Sequence, residues 1–107
     1  MSWSVVILND LVEAEIAALP NDIQADFYRL VELIHAVGLE NIGRKRSRHL
    51  RGKLWELRLD GRDGIGRTLY VTASGRRVVI LHAFVKKSQK TPAAALVLAE
   101  KRAKELD

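Results

Sequence analysis

Three short apolar stretches follow one another between residues 54 and 85, separated by turns that contain glycine. In Leu54–Leu59 the apolar side chains alternate with Glu56 and Arg58, and this period of two predicts a half-buried strand. Turn-forming residues at 60–64 and 73–75 then separate two further predicted strands, Arg67–Thr72 and Val78–Val85. Successive strands joined by short turns predict an antiparallel meander.

The N-terminal part predicts one strand followed by two helices. Trp3–Leu8 is short, apolar and rich in β-branched residues, as strands are. Apolar residues then recur at helical spacing twice between residues 10 and 37, with Pro20 between the two repeats. We expect Asn9 or Asp10 to cap the first helix and Gly38 to end the second.

The remaining segments predict a loop and a last helix. Gly43–Lys53 has no apolar period and much charge, so we expect a loop there. A helix with an apolar side should follow, with Thr91 or Ser88 as its cap and Pro92 at its first position.

The resulting order, β-α-α-β-β-β-α, predicts one α+β domain over residues 1–107. The helix pair should cover one face of an antiparallel sheet. The other face is expected to be wet, with Glu56, Arg58 and neighbouring basic side chains projecting from it.

Charge is strongly polarised along the chain. Residues 1–43 hold one basic and seven acidic residues, whereas residues 44–90 hold fourteen basic and three acidic ones. Such a distribution favours an acidic half and a basic face able to meet phosphates, with a basic surface kept only for solubility as the alternative.

Composition excludes several classes of site. The chain has no cysteine, which rules out disulfides, thiolate zinc sites and cysteine nucleophiles. It has no apolar run of membrane-spanning length, no leader-like start, no glycine-rich phosphate loop and no paired histidines suited to a metal. We therefore expect a soluble cytoplasmic protein without metal or cofactor.

The three histidines carry little signal by themselves. His35 lies in a predicted helix and His49 in the basic segment, where both fit structural or solvated roles. His82 alternates with Ile80 and Phe84 in the last predicted strand, which fits a satisfied core histidine or a catalytic group.

Two groups of cations suggest contact with RNA. The segment 44–53 holds six cations and no acid, which favours nucleic-acid backbone contacts over the alternative of a solvated loop. Its members are Arg44, Lys45, Arg46, Arg48, Arg51 and Lys53. The second group, Arg58, Arg67, Lys86 and Lys87, is spread over three adjacent predicted strands that could bring it together on one face.

Three stretches carry a resemblance to a known family. They are Leu54–Arg58, Arg67–Tyr70 and Leu81–Pro92, the last containing the string Phe-Val-Lys-Lys-Ser-Gln-Lys-Thr-Pro. With them the chain resembles the phage-derived Gp49-like, HigB-type toxins of the RelE/ParE superfamily along nearly its whole length. The resemblance implies the toxin of a type II toxin–antitoxin pair that cleaves mRNA on the translating ribosome, with a helix-turn-helix antitoxin of the HigA type as partner.

The resemblance also implies roles for particular residues. Arg67 matches the position that faces the scissile phosphate, Arg58 a second basic strand position, and Lys86 or Lys87 the basic catalytic residue at the end of the last strand. His82 is the reserve candidate for proton transfer, and Lys90 joins the 44–53 cations as a predicted RNA contact. The C-terminal tyrosine common in RelE-type members is absent here.

Two other functions share this fold or this charge. A ParE-like toxin would act on gyrase by binding it, and a phage nucleic-acid-binding module would have no catalytic activity. The antitoxin is expected to bring acidic or apolar groups to the basic face, or else to dock on the acidic helix pair.

Overall fold

A computed structural model describes residues 2–62, 64–87 and 90–106 of the chain. The elements, in order, are β1 (Ser4–Ile7), α1 (Asp10–Ala17), α2 (Asn21–Val37), a 3₁₀ turn (Leu39–Asn41), β2 (Ser47–Arg51), β3 (Leu54–Asp60), β4 (Ile65–Ala73), β5 (Arg77–Lys86) and α3 (Ala93–Ala103). Asp63 of the predicted turn, and Ser88 and Gln89 of the family-like string, lie outside the described residues.

The strands form one sheet in the order β1-β5-β4-β3-β2. Strands β2 to β5 are antiparallel neighbours, as the meander predicts, whereas β1 pairs with β5 in parallel. The α+β architecture and its helix pair are confirmed, but the sheet is mixed and has five strands rather than four. The pair α1–α2 separates β1 from the meander in sequence, and this long connection lets β1 return parallel to β5.

The predicted loop at Gly43–Lys53 contains strand β2. It pairs antiparallel with β3, with Arg48 opposite Glu56 and His49 opposite Trp55. The prediction was wrong here because β2 is an edge strand whose side chains are mostly charged and exposed, so it has no apolar alternation to read.

Large aliphatic and aromatic side chains form the core between the sheet and the helix pair. Ile16, Phe27, Ile34, Leu57 and Ile80 are each at most 1% exposed there. Burial of this single apolar face of each helix explains why the helical periodicity was readable in the sequence.

The opposite face of the sheet is not wet as predicted, because α3 lies over part of it. Ala95 and Ala99 of α3 pack on Leu69, Val79 and neighbouring residues of that face. Glu56, which was expected to project into solvent, is 1% exposed. The small alanines let α3 approach the sheet closely, and charged side chains occupy the part of the face beyond them.

Two of the three helix-end predictions are confirmed. The Asn9 side chain accepts a hydrogen bond from the backbone N–H of Val12 at 3.1 Å, and Gly38 ends α2 with a φ of 90°. Thr91 does not cap α3, since Pro92 occupies the N-cap position without a side-chain cap bond. The Thr91 hydroxyl donates to Glu56 instead, at 3.0 Å.

Candidate functional site

Basic side chains from three neighbouring strands meet on the face of the sheet that α3 leaves partly uncovered. Arg58 of β3 lies opposite Arg67 of β4, and Lys86 at the end of β5 lies opposite Ile65, two residues before Arg67. Because strand side chains alternate between faces, all three basic groups project to the same side. The convergence expected from the sequence is therefore present for Arg58, Arg67 and Lys86.

A buried carboxylate sits within this basic cluster. Glu56 Oε2 lies 3.6 Å from Arg67 Nε and 3.9 Å from Arg58 Nε. Its other oxygen accepts the hydrogen bond from Thr91. The carboxylate thus offsets the mutual repulsion of the two guanidinium groups. The hydrogen bond from Thr91 fixes its orientation.

Arg67 is the most deeply buried cation of the cluster. It is 3% exposed, and its Nη1 donates to the backbone oxygen of Gly66 at 2.8 Å. Its Nε has no hydrogen-bond partner in the described part of the chain. Burial lowers the pKa of Arg67 from its usual value, and the nearby Arg58 lowers it further, while Glu56 opposes the shift. The guanidinium is thus held by one backbone hydrogen bond and by its ion pair with Glu56.

Lys86 lies beside Arg67 and is 7% exposed. Burial lowers the pKa of Lys86, repulsion from Arg67, Arg58 and Arg48 lowers it further, and Glu56 acts in the opposite direction. A lysine in such surroundings gives up its proton more readily than a surface lysine does, so Lys86 is suited to proton exchange.

The structure distinguishes Lys86 from Lys87. Lys86 is the last residue of β5 and faces the basic cluster, whereas Lys87 follows the strand end and is exposed. Lys90, the remaining predicted contact of this region, is exposed ahead of α3.

The cations of the 44–53 segment divide into two groups. Arg46 Nη2 donates to the buried Asp26 at 2.8 Å, and Arg51 donates to both oxygens of Glu100 in α3. These two arginines hold β2 against α2 and α3. The others, Arg44, Lys45, Arg48 and Lys53, are exposed.

His82 belongs to a second polar group rather than to the contacts of Glu56. Its Nδ1 lies 2.8 Å from Glu15 Oε1, and Glu15 also accepts from the backbone N–H of Ala83 and from Arg102 of α3. Arg102 donates in addition to the backbone oxygen of Leu81. This His82–Glu15–Arg102 clamp satisfies the edge of β5 beyond the end of β1, and it fits the interpretation of His82 as a satisfied core histidine.

The sequence did not identify Glu56 and Thr91 as residues of the site, and only the structure shows their contact. The period of two in β3 put Glu56 on the face of Arg58, yet nothing in the sequence indicated that the carboxylate is buried between arginines. Thr91 was predicted to cap α3 because it precedes Pro92. Its contact spans 35 positions of the chain.

The fold that carries this cluster has a counterpart among solved structures. The fold is similar to that of the archaeal RelE–RelB complex from Pyrococcus horikoshii OT3, with a TM-score of 0.53 at 19% sequence identity, over 79% of this chain and 96% of that one. The profile of the family described as phage derived protein Gp49-like matches residues 14–104. No curated protein matches the chain.

The chain belongs to the phage-derived Gp49-like family. The resemblance to the Gp49-like family drawn from the sequence is thereby confirmed, and the fold is similar to that of RelE. In the described residues no helix is long and apolar enough to cross a membrane. The same residues contain no cluster of three or more potential metal ligands from histidine, cysteine or carboxylates.

Proposed function

We propose that this protein is the toxin of a type II toxin–antitoxin pair and that it cleaves mRNA on the translating ribosome. The observation that carries the proposal is the meeting of Arg58, Arg67 and Lys86 around the buried Glu56. A buried arginine beside a lysine whose pKa is lowered is an arrangement common at sites that meet an anion, and it supports this proposal.

RNA supplies its own nucleophile in this reaction. The ribose 2′-oxygen attacks the adjacent phosphorus, the bond from phosphorus to the 5′-oxygen breaks, and the products are a 2′,3′-cyclic phosphate and a 5′-hydroxyl. One proton leaves the 2′-hydroxyl and one joins the 5′-oxygen. The protein must therefore hold the ribose, stabilise charge on the phosphate and move these two protons.

The residues of the cluster divide this work. Arg67 and Arg58 present permanent cations in fork geometry to the phosphate oxygens. Lys86 exchanges protons with the reacting oxygens, a role that its lowered pKa favours. Glu56, oriented by Thr91, keeps the two guanidinium groups close before RNA arrives. The ribosome positions the message, and the exposed cations of the 44–53 segment contact ribosomal RNA.

A helix-turn-helix antitoxin of the HigA type is the proposed protein partner. The RelE relative was solved as a complex with RelB, and the exposed basic surface here suits a partner with acidic groups. The acidic helix pair remains the second docking surface that the charge distribution favours.

The test is message cleavage in a translating extract, scored by primer extension on a reporter mRNA. We expect Arg67→Ala and Arg58→Ala each to slow cleavage about 100-fold or more, because each removes a cation from the phosphate site. Lys101→Ala, an exposed cation of α3 outside both the cluster and the 44–53 segment, is the matched control and should cleave within about threefold of the unaltered protein. Circular dichroism checks that the variants are folded.

Three results would overturn the proposal. They are unchanged cleavage by the Arg58→Ala/Arg67→Ala double variant, stalled gyrase complexes with an intact message, and RNA binding without cleavage or gyrase inhibition. The second result would assign the protein to the ParE-like branch. The third would assign it to non-catalytic RNA binding.

A further inference from the structure

An aromatic groove lies on the face of the sheet opposite the basic cluster. It encloses about 370 Å³ between the 3₁₀ turn and strands β2 to β4. Its apolar lining includes the rings of Trp3, Trp55 and Tyr70, and its polar lining includes Glu40, Arg44 and Ser47.

Trp55 is the exposed ring of the groove, whereas the Tyr70 ring is 1% exposed and forms its buried floor. The rings of Trp55 and Tyr70 lie within 30° of parallel, with centroids 6.5 Å apart, and the His49 ring is 5.1 Å from Trp55. Trp55 is 38% exposed, which is a large aromatic surface to leave in water. Ser47 Oγ and Tyr70 Oη bond to each other at 2.6 Å, and the Trp3 indole donates to Glu40, so these polar groups already have partners. The groove therefore offers a ligand chiefly the Trp55 ring face and the Arg44 guanidinium.

Two cations lie at the groove, and the carboxylate in its lining, Glu40, accepts from the Trp3 indole. Arg44 lines the groove, and the neighbouring Lys45 is exposed. Neither has an acidic side chain in salt-bridge contact within the described residues. Aromatic faces flanked by unpaired cations are the recurring features of sites for single-stranded nucleic acid, because every base has a π face and every nucleotide a charge.

The groove is also close to the basic cluster along the chain. Trp55 and Glu56 are consecutive residues of β3 and project to opposite faces. Only the edge strand β2, with the exposed Arg48, lies outside them. An RNA strand that crosses this edge can place a phosphate on the basic cluster and a base, a few nucleotides away, in the groove.

We infer that the groove lined by Trp3, Trp55 and Tyr70 binds a nucleobase of the single-stranded RNA substrate by stacking on Trp55. This inference rests on the proposed function for the identity of the RNA as substrate. The binding site itself is argued from the rings and the charge around them.

Tryptophan emission gives a direct test, because the chain has two tryptophans and both line the groove. Trp3→Phe leaves Trp55 as the sole reporter. The probe is a 2′-O-methyl octamer of adenosines, which lacks the attacking hydroxyl and so reports binding without cleavage. We expect the octamer to quench Trp55 emission, whereas inorganic polyphosphate, a polyanion without bases, should bind without quenching it.

Ring and charge variants separate stacking from electrostatics. Trp55→Ala should weaken octamer binding about tenfold by fluorescence anisotropy, and Trp55→Phe should restore it to within about threefold. Arg44→Ala should weaken the octamer and polyphosphate equally, as loss of a phosphate contact does. If Trp55→Ala does not fold, the quenching measured in Trp3→Phe decides the matter.

Unchanged Trp55 emission at an octamer concentration that saturates anisotropy would overturn the inference. Emission that responds to a purified antitoxin and not to the octamer would also overturn it and assign the groove to a protein partner. Message cleavage is scored separately. Quenching without cleavage supports the base site and contradicts the nuclease, whereas cleavage without quenching contradicts the base site alone.

Discussion

Two carboxylates of this small protein, Glu15 and Glu56, each contact an arginine, yet the two groups are built differently. Glu15 accepts from His82, from the Ala83 backbone and through both oxygens from Arg102, at distances between 2.8 and 3.1 Å. Glu56 lies 3.6 and 3.9 Å from its two arginines, and one of these retains an uncommitted buried N–H.

The Glu15 group has the features of a structural contact, whereas the Glu56 group has those of a binding site. In the His82–Glu15–Arg102 clamp the polar side chains hydrogen-bond to one another. Removal of one of them leaves another without its partner. In the basic cluster the cations outnumber the carboxylate, and burial works against their charge. The proposed RNA phosphate would offset this excess of positive charge.

Among substitutions that test the difference between the Glu15 and Glu56 groups, we expect Lys86→Met to have the largest effect. Cleavage should fall about 100-fold, because the variant lacks the group proposed to exchange protons. The free energy of unfolding should rise by about 1 kcal/mol, because a charge that burial and three arginines disfavour has been replaced by an apolar chain. Primer extension and urea denaturation measure the two quantities.

Lys86→Arg is the matched control for that variant. It keeps the charge but exchanges no proton near neutrality, so cleavage should remain low without the gain in stability. A Lys86→Met protein that cleaves normally, or that is less stable than the unaltered chain, would remove the distinction between the two groups.

The opposite pattern is expected at the clamp. Glu15→Ala should lower the free energy of unfolding by about 2–3 kcal/mol, since it leaves Arg102 and the Ala83 N–H without their acceptor. Cleavage at a temperature where the variant is folded should stay within about threefold. Glu13→Ala, an exposed carboxylate of the same helix, should leave the urea midpoint nearly unchanged.

Acid should loosen the clamp. Burial by itself would raise the pKa of Glu15, but the hydrogen bonds from Arg102, His82 and Ala83 together lower it below the ordinary 4.5. A carboxylate whose pKa is lower in the folded state contributes stability above about pH 4.5, and this contribution is lost as the pH falls through the folded value. Urea midpoints of Glu15→Gln should therefore decline less than those of the unaltered protein between about pH 5 and pH 3. Parallel decline of the two proteins would contradict the assignment.

The smallest expected effect is on the salt dependence of RNA binding, and it compares two arginines of β2, Arg48 and Arg51. Arg51 is engaged by both oxygens of Glu100, whereas Arg48 is exposed beside the basic cluster. Arg48→Ala should reduce the slope of log affinity against log salt for the 2′-O-methyl octamer by about 0.7, the contribution of one phosphate contact on a single strand. Arg51→Ala should leave the slope unchanged, and equal slopes for the two variants would refute this division.

Local patterns in the sequence were enough for the elements that bury one apolar face. The period of two in β3 put Arg58 on the same face as Arg67 across a short turn, and this part of the basic cluster was predictable. Strand β2 was missed because the charges that protect a sheet edge also hide its periodicity.

Contacts between distant parts of the chain were beyond such reasoning. Glu15 and His82 are 67 positions apart, and nothing local in either neighbourhood indicates the other. Arg46 and Arg51 looked like RNA contacts because their acidic partners, Asp26 and Glu100, lie in other elements. The choice between Lys86 and Lys87 depended on where β5 ends, and a one-residue difference there decides which lysine faces the arginines.

The alternation of β3 side chains between the two faces of the sheet has a consequence for evolution. Consecutive residues of β3 project to opposite faces of the sheet. An insertion or deletion of one amino acid within that strand would therefore place Trp55 on the face of the basic cluster or Glu56 on the face of the groove. Point substitutions can adjust either surface by itself, but a change in strand length alters both together. Homologous chains are therefore expected to vary in length at the Gly52–Lys53 hairpin or at the turn after Asp60, and to keep the seven residues between them intact.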